Sequence, residues 1–180
     1  MQANNITRVM GIINGTTNYI LSRMEEEGVS SEEALSEAQR LGYAEADPTA
    51  DVEGYDAMYK LSILSSMAFH AHMPIEVIQR EGISKLSSAD FEAAKLLGYR
   101  IKLLAIGKKT GREIEARVHP TMLPIKHPLA AVGGVFNAVQ ITGSAVEDVM
   151  LYGRGAGRFP TASAVVSDIV YACHAAGRHR

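Results

Sequence analysis

A chain of 180 residues with 47% hydrophobic and 21% charged residues and a formal net charge of -2 can bury a core of its own. That balance argues against nucleic acid or an acidic membrane surface as a partner. No apolar run approaches a membrane span and residues 1–8 are polar, without a signal-peptide core, so no membrane partner is expected and the cytoplasm is the default location.

The first apolar run, residues 9–13, arrives after a handful of polar positions and looks like the middle of something. Residues 14–18, Asn-Gly-Thr-Thr-Asn, read as a turn that delivers an asparagine or threonine cap to a helix with Tyr19, Ile20 and Met24 on its apolar side. A helix N-terminus offers free backbone N–H groups, so Gly15 and Thr16 could hold an anionic or carbonyl ligand; capping explains them too. Gly28 ends this helix, and Ser30-x-x-Glu33 is a capping box for a second, with Ala34, Leu35, Ala38 and Leu41 at helical spacing. Gly42 stops it.

Residues 42–60 then concentrate five acids, Glu45, Asp47, Asp51, Glu53 and Asp56, before a lysine, Lys60. Pro48 disfavours helix for Asp47, so residues 45–51 are expected to be a loop, with a helix from about Val52 that sets Asp56 and Lys60 at i and i+4. One account is a solvated loop and an exposed ion pair. Against it, Tyr55, Met58, Leu61, Ile63, Leu64, Met67, Ala68 and Phe69 make the helix apolar nearly all round and predict burial. A lysine there needs its carboxylate or a task, and burial would lower its pKa toward values useful in proton transfer. Glu45, Asp47 and Asp51 could instead offer oxygen ligands to magnesium or calcium. Pro48 and the lack of a paired histidine argue against that, His70 and His72 falling on different faces of a helix end, so no metal is expected.

That helix is expected to end near Pro74, which opens a short turn through Ile78; Ser87 or Ser88 caps another helix, closed by Gly98. The period then changes. Residues 99–107, 113–119, 134–141 and 145–152 read as strands, with a possible fifth at 122–126, and Lys109-Thr110-Gly111 and Thr142-Gly143-Ser144 are short enough for hairpins. A closing helix spans residues 161–176, with Pro160 in its first turn, and Cys173 within its Ala/Val-rich pattern is expected to be a small core residue. A single cysteine excludes an intrachain disulfide framework. The fold class is α+β: N-terminal helices packed on a mixed, largely antiparallel sheet of about four or five strands, closed by a C-terminal helix, as one domain over residues 1–180.

Gly153-x-Gly155-x-Gly157 lies between the last strand and that helix, where backbone amides can approach phosphate. It is not the dinucleotide fingerprint, because the third glycine comes too early and no βαβ unit surrounds it. A tight turn with positive φ is the alternative, and Arg154 and Arg158 lean toward an anion.

Residues 11–21, Gly-Ile-Ile-Asn-Gly-Thr-Thr-Asn-Tyr-Ile-Leu, and residues 41–60, Leu-Gly-Tyr-Ala-Glu-Ala-Asp-Pro-Thr-Ala-Asp-Val-Glu-Gly-Tyr-Asp-Ala-Met-Tyr-Lys, together with Gly155-Ala156-Gly157 and Pro160-Thr161-Ala162, resemble the substrate domain of the homoserine dehydrogenase family. The resemblance covers nearly the whole chain. It implies NADP- or NAD-dependent hydride transfer between aspartate semialdehyde and homoserine, in threonine and methionine biosynthesis. By position it makes Lys60 the general acid, Asp56 its orienting partner, Glu45 the grip on the substrate ammonium, and Tyr43, Gly15, Thr16 and Asp51 the rest of the pocket. Gly157, beside Gly155, would contact the cofactor. It also implies a homodimer formed through the sheet. Members of the family begin with a nucleotide-binding domain, which carries a metal ion and a second lysine. The chain is therefore expected to be the substrate-binding and dimerisation half, inactive alone; a non-catalytic dimerisation module is the alternative.

Overall fold

The protein is described by a computed structural model over residues 3–177, so the two ends of the expected 1–180 domain lie outside the described residues. A six-stranded sheet runs in the order β2-β4-β3-β1-β5-β6. Its centre is β1 (Ile6–Ile12), antiparallel to β3 (Tyr99–Thr110) on one side and to β5 (Phe136–Gly143) on the other. β4 (Glu113–Pro124) pairs antiparallel with β3, and β6 (Glu147–Arg154) with β5, through the two short turns expected to be hairpins. β2 (Gln79–Arg80) adds the one parallel pair, to β4. This is the expected α+β architecture with a mixed, largely antiparallel sheet.

The early apolar run is thus the central strand. Val9, Met10, Ile12 and Ile13 are all buried, so the run does not alternate and carries no strand period. On one face Ile13, Ile101, Leu103 and Ala105 meet α1 (Gly15–Glu27), α2 (Ser31–Arg40), α4 (Tyr55–Phe69) and α5 (Ser88–Leu96) through Leu21, Ala34, Leu61 and Phe91. On the other, Met10, Ile12, Leu104 and Ala138 pack with Leu129, Ala130 and Val132 of a 3-10 turn, Pro128–Ala131, and the segment after it. The expected fifth strand, 122–126, is the end of β4 followed by a turn.

The capping signals mark helix starts well. Asn14 caps α1, accepting from the Thr17 N–H, and Ser30 and Glu33 form the reciprocal box at α2. The acidic loop departs from expectation: Asp47 accepts from the Thr49 N–H at 3.1 Å and opens a four-residue helix, α3 (Thr49–Val52). Gly54, at φ 79, then breaks the chain before α4. α4 stops at Phe69, with His70 left-handed behind it, rather than near Pro74.

Two burial expectations fail. α4 is buried on one face only, leaving Tyr59, Ile63 and Met67 exposed. α6 (Arg158–Gly177) buries none of its residues, and Cys173 is exposed, because the helix stands away from the sheet with Val165, Val166, Ile169 and Tyr171 uncovered. No helix among the described residues is long and apolar enough to cross a membrane.

Candidate active site

β1 ends and α1 begins at Asn14, and the same short segment meets the first turn of α4. Asn14 is 6% exposed, and its amide works in both directions. Its Oδ1 accepts from the Thr17 N–H at 2.8 Å, capping the helix, while its Nδ2 donates to Asp51 Oδ1 at 2.6 Å and Asp56 Oδ2 at 2.9 Å. The kink at Gly54 makes this possible, for it brings Asp51 on α3 and Asp56 on α4 to one amide. Asp56 sits in the first turn of α4, where the helix dipole favours its charge.

One turn on, Lys60 Nζ donates to Asp56 Oδ2 at 2.7 Å and to the Ile13 carbonyl at 3.2 Å. Two of the three ammonium donors are thereby fixed from two elements, which aims the third. The side chain of Lys60 is 48% exposed, so the expected deep burial is not found; its ammonium is held in place by these two contacts. Lys60, Asp56, Asp51, Asn14, Gly15 and Thr16 line one cavity of about 380 Å³, whose opposite wall is Val135, Asn137 and residues 154–157.

Thr16 donates its hydroxyl to the Tyr43 carbonyl at 2.7 Å, tying the turn after α2 to the start of α1. The Tyr43 ring packs edge-on against Tyr19 with centroids 5.1 Å apart. Glu45 lies in an adjoining hollow shared with Thr16, Tyr43, Asp51 and Asp56; it is exposed and anchored through its own carbonyl, which accepts from Gln39 Nε2 at 3.0 Å. Asp47 is engaged instead with Thr49, whose hydroxyl and amide hold its carboxyl below the ordinary aspartate range. Among the described residues no group of three His, Cys, Asp or Glu side chains gathers as metal ligands.

At the glycine-rich turn only Gly157 is left-handed, at φ 116. Gly155 is required for a different reason: a Cβ there would overlap the amide of Asn137. Arg154 leans over the Phe136 ring, 5.0 Å from its centroid, at the same edge of the cavity. Nine positions singled out from the sequence thus surround two joined hollows. Asn14 as a bridge between acids, and Val135 and Asn137 as a wall, were not singled out; their partners lie far away in sequence, and a polar residue inside an apolar strand was the one available hint, at Asn137.

Solved structures of dehydrogenases share this fold. A homoserine dehydrogenase from Thiobacillus denitrificans superposes with a TM-score of 0.92 at 53% identity, over 94% of this chain and 39% of its own. A hyperthermophilic archaeal homoserine dehydrogenase mutant, solved in complex with NADPH, does so with a TM-score of 0.78 at 34% identity, over 94% of this chain and 48% of its own. The family is given by sequence: the homoserine dehydrogenase family profile matches residues 1–170. The Neisseria gonorrhoeae homoserine dehydrogenase is 54% identical over 170 residues, covering 94% of this chain and 39% of that protein. The Corynebacterium glutamicum enzyme is 55% identical over 170 residues, covering 92% and 38%. The chain belongs to the homoserine dehydrogenase family and spans about 39% of the length of such relatives.

Proposed function

We propose that residues 1–180 form the substrate-binding, catalytic and dimerisation domain of an NAD(P)-dependent homoserine dehydrogenase, which interconverts aspartate semialdehyde and homoserine in the cytoplasm on the way to threonine and methionine. The observation that carries this is the fixing of Lys60 Nζ by Asp56 Oδ2 at 2.7 Å and the Ile13 carbonyl at 3.2 Å, on the rim of a cavity shared with the N-terminus of α1. In reduction, Lys60 gives its free proton to the aldehyde oxygen as negative charge develops there, and in oxidation it takes that proton back. Asp56 and the Ile13 carbonyl keep the amine aimed. Glu45 and Asp51 receive the substrate ammonium, while the first-turn amides of Gly15 and Thr16, with Tyr43, hold its carboxylate end.

A nicotinamide cofactor, when bound, supplies or takes up the hydride. The turn fits such a group: a Cβ on Gly155 would displace the Asn137 amide, Gly157 is left-handed, and both line the cavity that Lys60 faces. The archaeal relative in complex with NADPH favours NADP over NAD as the first cofactor to test. The rest of the cofactor's surroundings belong to the part of the relatives that this chain does not span, and the uncovered apolar side of α6 docks there. The domain is therefore inactive alone.

Fusing a coenzyme-binding half to this chain tests the reading. The fusion is expected to oxidise homoserine with NADP, and Lys60→Ala to lower turnover by about 10²–10⁴-fold, the usual weight of a general acid. Undiminished turnover in Lys60→Ala would mean that another group moves the proton. A second reading, a non-catalytic dimerisation module, draws on the exposed Met150, Leu151 and Tyr152 of the edge strand β6. Titrating homoserine by calorimetry separates the two: a structural module gives no heat that Glu45→Gln abolishes. Dimerisation through the sheet predicts that Tyr152→Glu shifts the sedimentation of the chain to the monomer.

A further inference from the structure

Lys102 on β3 is 1% exposed, the largest fully buried side chain among the described residues, and its ammonium meets no carboxylate of those residues in ion-pair contact. Nζ donates to the Val132 carbonyl at 2.8 Å and to Asn18 Oδ1 at 3.4 Å. Asn18, itself 1% exposed on α1, turns its Nδ2 to the carbonyls of Val132 at 3.2 Å, Gly134 at 3.0 Å and Phe136 at 3.1 Å. Ser22, one turn on, closes the set by accepting from the Gly134 N–H at 3.1 Å. Burying an ammonium costs free energy unless charge pairing and hydrogen bonds offset its lost hydration. Desolvation accordingly holds the amine below the ordinary lysine range, with Glu25 opposing that shift and Arg100 adding to it.

The bonds to Val132, Gly134 and Phe136 end on one stretch, residues 132–136, of which 132–135 precede β5 without regular structure and contain two glycines, Gly134 at φ 58. Such a stretch would be mobile if unattached. It is also the wall of the cavity opposite Lys60: Val135 lines it, and the Val135 carbonyl lies 2.9 Å from where a Cβ on Gly15 would stand.

We infer that Lys102 and Asn18 are positioning residues, a buried clamp that fixes the Val132–Phe136 wall against the first turn of α1 and so sets the width of the substrate cavity. The clamp takes its functional meaning from the proposed reaction, but its physical existence can be tested without it. Neither residue touches the cavity contents; each acts through Val135. Lys102→Met keeps the length of the side chain and removes the donor. Asn18→Asp keeps the shape, gives Lys102 a carboxylate, and turns the three donated bonds into repulsions.

Hydrogen exchange on this chain, with circular dichroism as the folding control, is the first measurement. Lys102→Met is expected to speed exchange of the Gly134 and Phe136 amides at least tenfold while β3 and β4 stay protected, and Asn18→Asp to do so more strongly despite the new ion pair. Unchanged protection at Gly134 in a folded Lys102→Met would overturn the clamp. Should Lys102→Met fail to fold, Ser22→Ala, which removes the bond from the Gly134 N–H and the one to the Asn18 carbonyl, decides by the same amides. The second measurement uses the fused enzyme: Lys102→Met is expected to raise KM for homoserine about tenfold with kcat within about threefold, the pattern of lost binding rather than lost chemistry. Faster exchange with an unaltered KM would make the pair core packing only. A failure of the Lys60 assignment would leave the exchange result standing, so the two ideas fail separately.

Discussion

Replacing Asn14 tests the junction on which the site is built. Asn14→Ala removes an N-cap, worth about 1 kcal/mol. It also removes the bonds to Asp51 and Asp56, which at 2.6 and 2.9 Å are charge-assisted. Such bonds are worth about 1.5–3 kcal/mol each when desolvated. Here the Asp56 side chain is 31% exposed and the freed carboxylates rehydrate, so the surviving effect is smaller. A total loss of about 2–3 kcal/mol is expected once exposure is discounted. For a chain of this size that is a fall in Tm of about 4–12 °C. Asn14→Asp separates the two contributions, since aspartate caps as well as asparagine but sets a third carboxylate against two others. It should be at least as unstable as Asn14→Ala. Urea unfolding at neutral pH measures this, and wild-type stability in Asn14→Asp would refute the bridging amide.

Further outcomes follow from single contacts. Gly155→Ala is expected to push the turn away from Asn137 and to weaken cofactor binding by the fused enzyme; intact affinity would show that the turn is not a cofactor wall. Gly82→Ala forces a Cβ into the backbone of Val52 and Glu53, and should cost about 1–3 kcal/mol in urea unfolding by overpacking. Lys102 carries a proton penalty in the folded state only, because desolvation lowers its folded pKa while the unfolded chain keeps the ordinary value. Between those values the unfolded state binds more protons, so the wild type gains stability as pH rises through the folded value, and Lys102→Met does not. The stability difference between the two should therefore move toward the wild type from neutral to alkaline pH; a pH-independent difference would exclude the titration. Thr142→Val should let the Asp148 carboxyl, held low chiefly by the Thr142 hydroxyl with Arg8 assisting, rise toward its ordinary range by NMR titration.

Local chemistry was legible in the sequence. Asn14, Ser30 with Glu33, Gly42 and the two hairpin turns each act within a few residues, and each signals what it does. The Asp56–Lys60 pair is legible for the same reason, being one helical turn apart. β1 was not legible as a strand, since a strand covered on both faces loses the alternation that marks one. α4 and α6 misled through composition: apolar residues predict burial only if something covers them, and on α6 the described residues do not. The Asn14 bridge and the Lys102 clamp depend on partners 30 to 118 positions apart, a distance over which spacing carries no signal.

The cavity owes its form to this division between near and far. Its Asp56–Lys60 pair is carried by one helix and would survive in an isolated peptide only as a surface ion pair of little strength. What gives the ammonium a fixed direction is the Ile13 carbonyl just past the end of β1, 3.2 Å from Nζ, and the Asn14 amide that holds Asp56 from the other side. Both come from the strand-to-helix junction whose strand is the middle of the sheet. A half-exposed lysine can therefore be aimed without being buried, because its partners belong to the most constrained part of the fold. It follows that substitutions under β1, far from Lys60, should misdirect the amine more than substitutions on the exposed face of α4. In the fused enzyme, Ile12→Ala is accordingly expected to lower kcat where Ile63→Ala leaves it alone, and equal effects of the two would break this link between sheet and site.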